Sequence, residues 1–136
     1  MTMDFGLDAM TFTTLHWKAE YETGIEEIDL QHRYFMGLIN RMYPELTTSD
    51  DPEYRARLFD ELAKYASFHF ISEENLMIKL GYPDFDRHHM MHRNLIDELS
   101  WRAQSKSYDE FFDFLVSWFI DHTVEEDHRI GDFVRR

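Results

Sequence analysis

An apolar rhythm of 3.6 residues runs through this chain, broken only where a few helix-stopping residues fall: five glycines and three prolines in 136 positions. Long periodic segments with so few turn formers predict an all-helical domain. Four helices can be drawn. The first begins near Thr23, Gly24 and Ile25, where Thr23 and Glu26 have capping-box spacing, and runs to about Tyr43, ahead of Pro44. Ile28, Phe35, Ile39 and Met42 mark its inner face. The second opens at Asp51 and Pro52, an N-cap residue followed by proline at the first helical position, and continues to Leu80, where Gly81 can supply a left-handed stop. The third starts after Pro83 with Asp84 as its cap and reaches about Gln104 along Phe85, Leu95 and Leu99. The fourth opens at Ser107, which has capping-box spacing to Glu110, and runs through FFDFLVSWF to about Phe133. Short connections make neighbours antiparallel, so the expected architecture is an up-down-up-down four-helix bundle over residues 23–136, preceded by an N-terminal arm over residues 1–22.

Composition removes several functions at once. The chain has no cysteine, so disulfides, thiolate zinc sites, iron–sulfur clusters and thiol nucleophiles are excluded, and any metal must be held by His, Asp, Glu or Met. A formal charge of −13 repels nucleic acid and anionic membranes alike. No run approaches the roughly 18 apolar residues of a membrane span, and the opening MTMDFGLDAM lacks the basic start and apolar core of a secretory signal. A cytoplasmic location is expected.

Eight histidines are an excess for this length, and several interrupt the apolar stripes. His32 lies between Ile28 and Phe35. On the second helix Leu62, Ala66, His69, Glu73 and Leu76 share a face, which sets an imidazole and a carboxylate about 40° apart in azimuth and ~6 Å apart along the axis. HHMMH on the third helix offers an i, i+4 imidazole pair, His88 and His92, in line with Phe85 and Leu99. On the fourth, Phe111, Leu115 and Trp118 lead to His122, and Asp127 follows five residues on. One buried histidine is ordinarily a satisfied core residue. Burying five imidazoles and two carboxylates without a cation, however, would cost several kcal/mol per charged group, more than a net stability of ~5–15 kcal/mol can absorb. His16, in the arm, and His89, rotated about 100° from His88, read as surface or packing residues. His128, three residues from Glu125, has a spacing used in carboxylate-rich metal bundles, but reads as solvated face.

Seven side chains exceed the six positions of one octahedron. If Glu73 and Asp127 each bridge two ions and a solvent oxygen bridges them as well, eleven of about twelve octahedral positions are filled and one stays open. Imidazole suits iron, copper, nickel or zinc; bridging carboxylates inside a helical bundle favour iron.

These residues resemble the hemerythrin family, and within it the bacterial hemerythrin-like proteins. The resemblance runs from about Trp17 to Phe133 and is carried by Trp17 with TGIEEIDLQH (Thr23 to His32), HFISEE (His69 to Glu74), YPDFDRHHMMH (Tyr82 to His92) and WFIDHTVEED (Trp118 to Asp127). It implies two iron ions with a bridging oxo or hydroxo group, one held by His88, His92 and His122, the other by His32 and His69, with Glu73 and Asp127 bridging. The family spacing of four residues between Tyr-Pro and the first histidine selects His88 over His89, which helical spacing alone leaves open. The two-histidine iron would keep the open position, and dioxygen would be its ligand.

Two positions depart from the family pattern. The residue after the tryptophan is usually leucine and here is Phe119; the residue after the fourth-helix histidine is usually isoleucine and here is Thr123. With Trp118 they would shape the oxygen pocket. The resemblance thus implies reversible dioxygen binding for carriage, storage or delivery, without enzymatic turnover. An oxygen or redox sensor domain is the alternative reading, and a di-iron oxidase a third. A signalling or oxygen-consuming protein is the kind of partner these readings imply.

Overall fold

The computed structural model describes residues 14–104 and 108–135, and these are helical with no strand. Four long helices, α1 (Glu26–Thr48), α2 (Pro52–Leu80), α3 (Phe85–Arg102) and α4 (Tyr108–Asp121), form the antiparallel up-down-up-down bundle expected from the periodicity. α1 packs on α2 and α4, and α3 on α2 and α4. α4 does not run straight on to Phe133. Residues His122–Asp127 form a π-helical turn, and the chain resumes as the short α5 (His128–Val134). No described helix is long and apolar enough to cross a membrane.

α2 follows its sequence signals closely. The Asp51 carboxylate accepts from the Glu53 amide at 3.0 Å, Pro52 sits in the first turn, and Gly81 ends the helix in the left-handed region at φ 68°. Its inner face is Leu62, Ala66, His69, Phe70, Glu73 and Met77, each buried. Met77 replaces the expected Leu76, which is only half-buried, because the face advances from His69 and Glu73 by steps of four.

The helix ends differ elsewhere. α1 starts at Glu26, and Thr23 does not form a capping box with it. The buried Asp29 carboxylate instead accepts from the Thr23 amide and hydroxyl, both at 2.8 Å, while Thr23 Oγ1 accepts from the Ile25 amide. α1 also continues through Pro44 for another turn, since Leu46 beyond it is fully buried and the Thr47 and Thr48 hydroxyls bond to the carbonyls of Tyr43 and Pro44. Asp84 precedes α3 but caps nothing with its side chain, which accepts from Arg87 Nε at 2.8 Å. Ser107, expected to cap α4, lies outside the described residues.

The core fills the bundle away from the histidines, with Phe35, Ile39, Met42, Leu46, Leu62, Leu95, Phe112 and Leu115 at its centre. Residues 14–22, assigned to an arm by sequence, lie against this bundle: Leu15 exchanges two backbone bonds with the Asn40 amide, and Tyr21 joins the core. A smaller apolar cluster of Met77, Tyr82 and Ile130 closes the opposite end, where α5 meets the α2–α3 connection.

Candidate metal centre

Three of the long helices, and the π turn that follows α4, each contribute at least one polar side chain to one buried spot. α1 supplies His32, α2 His69 and Glu73, α3 His88 and His92, and the π turn His122 and Asp127; all seven are at most 4% exposed. In an α-helix, residues five apart would lie about 140° from each other around the axis. The wider i→i+5 turn beginning at His122 brings Asp127 onto the same side, so the widening is what delivers the second carboxylate.

The seven fall into two overlapping groups. His88, His92 and His122 gather around one side of Glu73 and Asp127, His32 and His69 around the other. On the first side, His88 Nε2 is 2.8 Å from Glu73 Oε1 and 3.1 Å from Asp127 Oδ1; His92 Nε2 is 3.0 Å from Glu73 Oε1, and His122 Nε2 is 3.0 Å from Asp127 Oδ1. On the second side, His32 Nε2 is 2.9 Å from Asp127 Oδ2, and His69 Nε2 is 3.6 Å from Glu73 Oε2.

Three imidazole nitrogens on the first side nearly touch. His122 Nε2 lies 3.2 Å from His88 Nε2 and 3.3 Å from His92 Nε2. Both Asp127 oxygens and Glu73 Oε2 are buried without accepting any hydrogen bond of normal geometry. Imidazole nitrogens gathered at a common point, with buried carboxylate oxygens left unbonded, form a donor set able to hold a cation. The residues fit a bound metal, and their overlap at two carboxylates fits a pair.

Electrostatics in the metal-free chain follow from the same crowding. Burial alone would lower His88 and His122, but the Asp127 and Glu73 carboxylates outweigh it and hold them at about 9 and about 10. His69 falls to about 4, because burial dominates there. Burial and mutual repulsion would raise Glu73 and Asp127, yet the surrounding imidazoles keep both well below the ordinary carboxylate range.

Outer contacts orient the rings. His69 Nδ1 meets Gln31 Oε1 at 2.7 Å, and Gln31 is held in turn by Ser72 and Tyr65. His92 Nδ1 meets Glu74 Oε2 at 2.8 Å. Phe70 stacks flat on His92, Trp118 stacks on His122 at 4.3 Å, and Phe119 sets its edge against His32 at 5.6 Å. Thr123 is buried, its hydroxyl without a hydrogen-bond partner.

Three histidines stay outside. His16 is exposed; His89 stacks on Phe85 with its Nδ1 3.1 Å from Glu74; His128 is half-buried on α5. Sequence reasoning missed the π turn, although a His-to-Asp spacing of five was its visible signal. It also missed Gln31 and Glu74, each one residue from an inward-facing group and so off the face that periodicity selects.

The Hemerythrin HHE cation binding domain matches residues 23–134 of this chain. The bacteriohemerythrin of Clostridium acetobutylicum is 32% identical over 126 residues, covering 85% of this chain and 98% of that protein. That of Methylococcus capsulatus is 27% identical, covering 90% and 94%. A crystal structure of wild-type hemerythrin superposes with a TM-score of 0.81 at 24% identity, covering 91% of this chain and all of the other, a likeness of fold.

Proposed function

This chain belongs to the hemerythrin family, and from that premise we propose that its buried centre holds two iron ions, joined by an oxo or hydroxo bridge, and binds dioxygen reversibly for carriage, storage or delivery. His88, His92 and His122 would hold one ion, His32 and His69 the other, and Glu73 and Asp127 would bridge. The observation that carries this reading is the split of each carboxylate, one oxygen turned to each imidazole group. Such a pair, when bound, would supply the reducing electrons and the binding place for the gas.

The protein's own part is to hold and to shield. Five imidazoles, each neutral once it donates to a metal, against only two carboxylates would give the loaded centre little negative charge, which favours binding over the high-valent chemistry of carboxylate-rich oxygenases. Trp118 and Phe70 cover the three-histidine side and Phe119 covers His32, keeping water from the ligands. The unpartnered Thr123 hydroxyl, beside His122 in the chain, is the polar group we place at the pocket wall.

The test is the visible spectrum of the reduced, iron-loaded protein on exposure to air. An oxygen-dependent band that disappears on deoxygenation supports the proposal. Sustained oxygen consumption with a reductant would instead favour an oxidase.

A further inference from the structure

His92 is the one ring of the centre whose two nitrogens lie between neighbouring carboxylates of the same helix. Glu73 Oε1 is 3.0 Å from Nε2, and Glu74 Oε2 is 2.8 Å from Nδ1. Phe70 lies flat against the ring, centroids 3.9 Å apart and planes 8° from parallel, so its orientation is fixed from the side as well. The outer nitrogens of three other rings are treated differently. His69 Nδ1 meets the neutral Gln31 amide, and those of His32 and His122 are buried with no hydrogen-bond partner. Glu74 lines a cleft of about 210 Å³ between α2 and α3, together with His89, His92 and Arg93.

We infer that Glu74 is the positioning residue of His92: by accepting the Nδ1 proton it fixes the tautomer that turns the Nε2 lone pair inward and makes His92 a stronger donor than His69. A carboxylate draws harder on that proton than an amide does, so the ring gains anionic character and the three-histidine side becomes the better holder of the more highly charged ion. The two sides of the centre are then unequal for a reason outside the ligand count. This inference rests on the two-ion reading above.

The experiment is a cobalt(II) titration of the metal-free protein against a competing chelator, with absorption spectra, on the wild type, Glu74→Gln and Gln31→Glu. Glu74→Gln is expected to weaken the tighter cobalt site about 10- to 100-fold and to shift the absorption of one cobalt ion only. In the iron-loaded protein, the reduction potential should rise by about 59 mV for each tenfold preferential loss of the oxidised ion. Gln31→Glu places a carboxylate against His69 and should tighten the weaker site. Unchanged affinities, spectra and potential in a folded Glu74→Gln protein would overturn the role of Glu74 while leaving the two-ion reading intact. If Glu74→Gln does not fold, Gln31→Glu decides, and no change there overturns the inference. A wild type that takes up a single cobalt ion overturns the two-ion reading, whereas a loss at that one ion on Glu74→Gln still supports Glu74.

Discussion

Glu73 and Asp127, delivered by different helices, are oriented alike: Oε1 and Oδ1 face His88, at 2.8 and 3.1 Å, while Oε2 and Oδ2 face His69 and His32, at 3.6 and 2.9 Å. A carboxylate that served one ion would have no need of imidazoles on both of its oxygens. Glu73→Ala or Asp127→Ala should therefore lower the affinity for both ions, by more than about a hundred-fold, while His89→Ala and His128→Ala leave two ions per chain. Elemental analysis after desalting reads the outcome. Equal losses from His89→Ala and His92→Ala would show that the ligand set is drawn wrongly.

Elemental analysis of the protein as purified should give two irons per chain. One iron, or chiefly zinc, would contradict the proposed cofactor.

Loading the metal-free protein should release protons. At about pH 7.5 His88 and His122, held at about 9 and about 10, are protonated, and each must lose its proton before Nε2 can donate to a metal. His69, at about 4, is already neutral. These two residues should release about two protons per chain on loading, a count that falls toward zero above about pH 10 and is read with an indicator dye in weak buffer. Both values are raised by folding. Their contribution to the stability of the metal-free fold is therefore complete below the unfolded value of 6.5 and is lost as the pH rises through about 9 and 10.

The inner faces were readable because burial imposes them. His69 and Glu73, like His88 and His92, keep the i, i+4 step of their apolar neighbours, and Asp51-Pro52 and Gly81 act through local backbone chemistry alone. What could not be read depends on the rest of the fold. Pro44 announces a helix end, but the burial of Leu46 outweighs one missing backbone bond. Thr23 has the spacing of a cap with Glu26, yet Asp29 takes its hydroxyl. Gln31 and Glu74 reach the centre sideways from positions that a periodicity argument assigns to the flank.

Gly131→Ala tests the end of the bundle. In an exposed helix interior this substitution would stabilise by about 1 kcal/mol, but a Cβ here would collide with the Thr23 carbonyl oxygen, which also accepts from Arg135 Nη1. The sign should reverse, to a loss of about 1–3 kcal/mol in denaturant unfolding of the metal-free protein. An unchanged or raised midpoint would mean that α5 can lift from Thr23 at no cost.

Thr123→Ile and Phe119→Leu address the pocket. The Thr123 hydroxyl is buried without a partner and can hold a water or pass a proton, so Thr123→Ile should slow the loss of oxygen-binding capacity in air. Phe119 covers His32, so Phe119→Leu should speed it. Decay of the oxygen-dependent visible band measures both. Faster decay in Thr123→Ile would clear the hydroxyl as the leak.

The widened turn at His122–Asp127 reaches beyond the carboxylate it delivers. An extra residue in one turn rotates everything after it by about 100° relative to a straight α-helix, and in that rotated frame Ile130 enters the cluster with Met77 and Tyr82 while Gly131 meets Thr23. Ligand geometry and the seating of the C-terminal helix are consequently one decision of register. Removing one residue between His122 and Asp127 would bring the carboxylate to an i, i+4 spacing that an ordinary α turn serves, so the extra residue and the widened turn compensate each other; keeping the residue while straightening the turn is the phase error, displacing the carboxylate at one end and a packing face at the other.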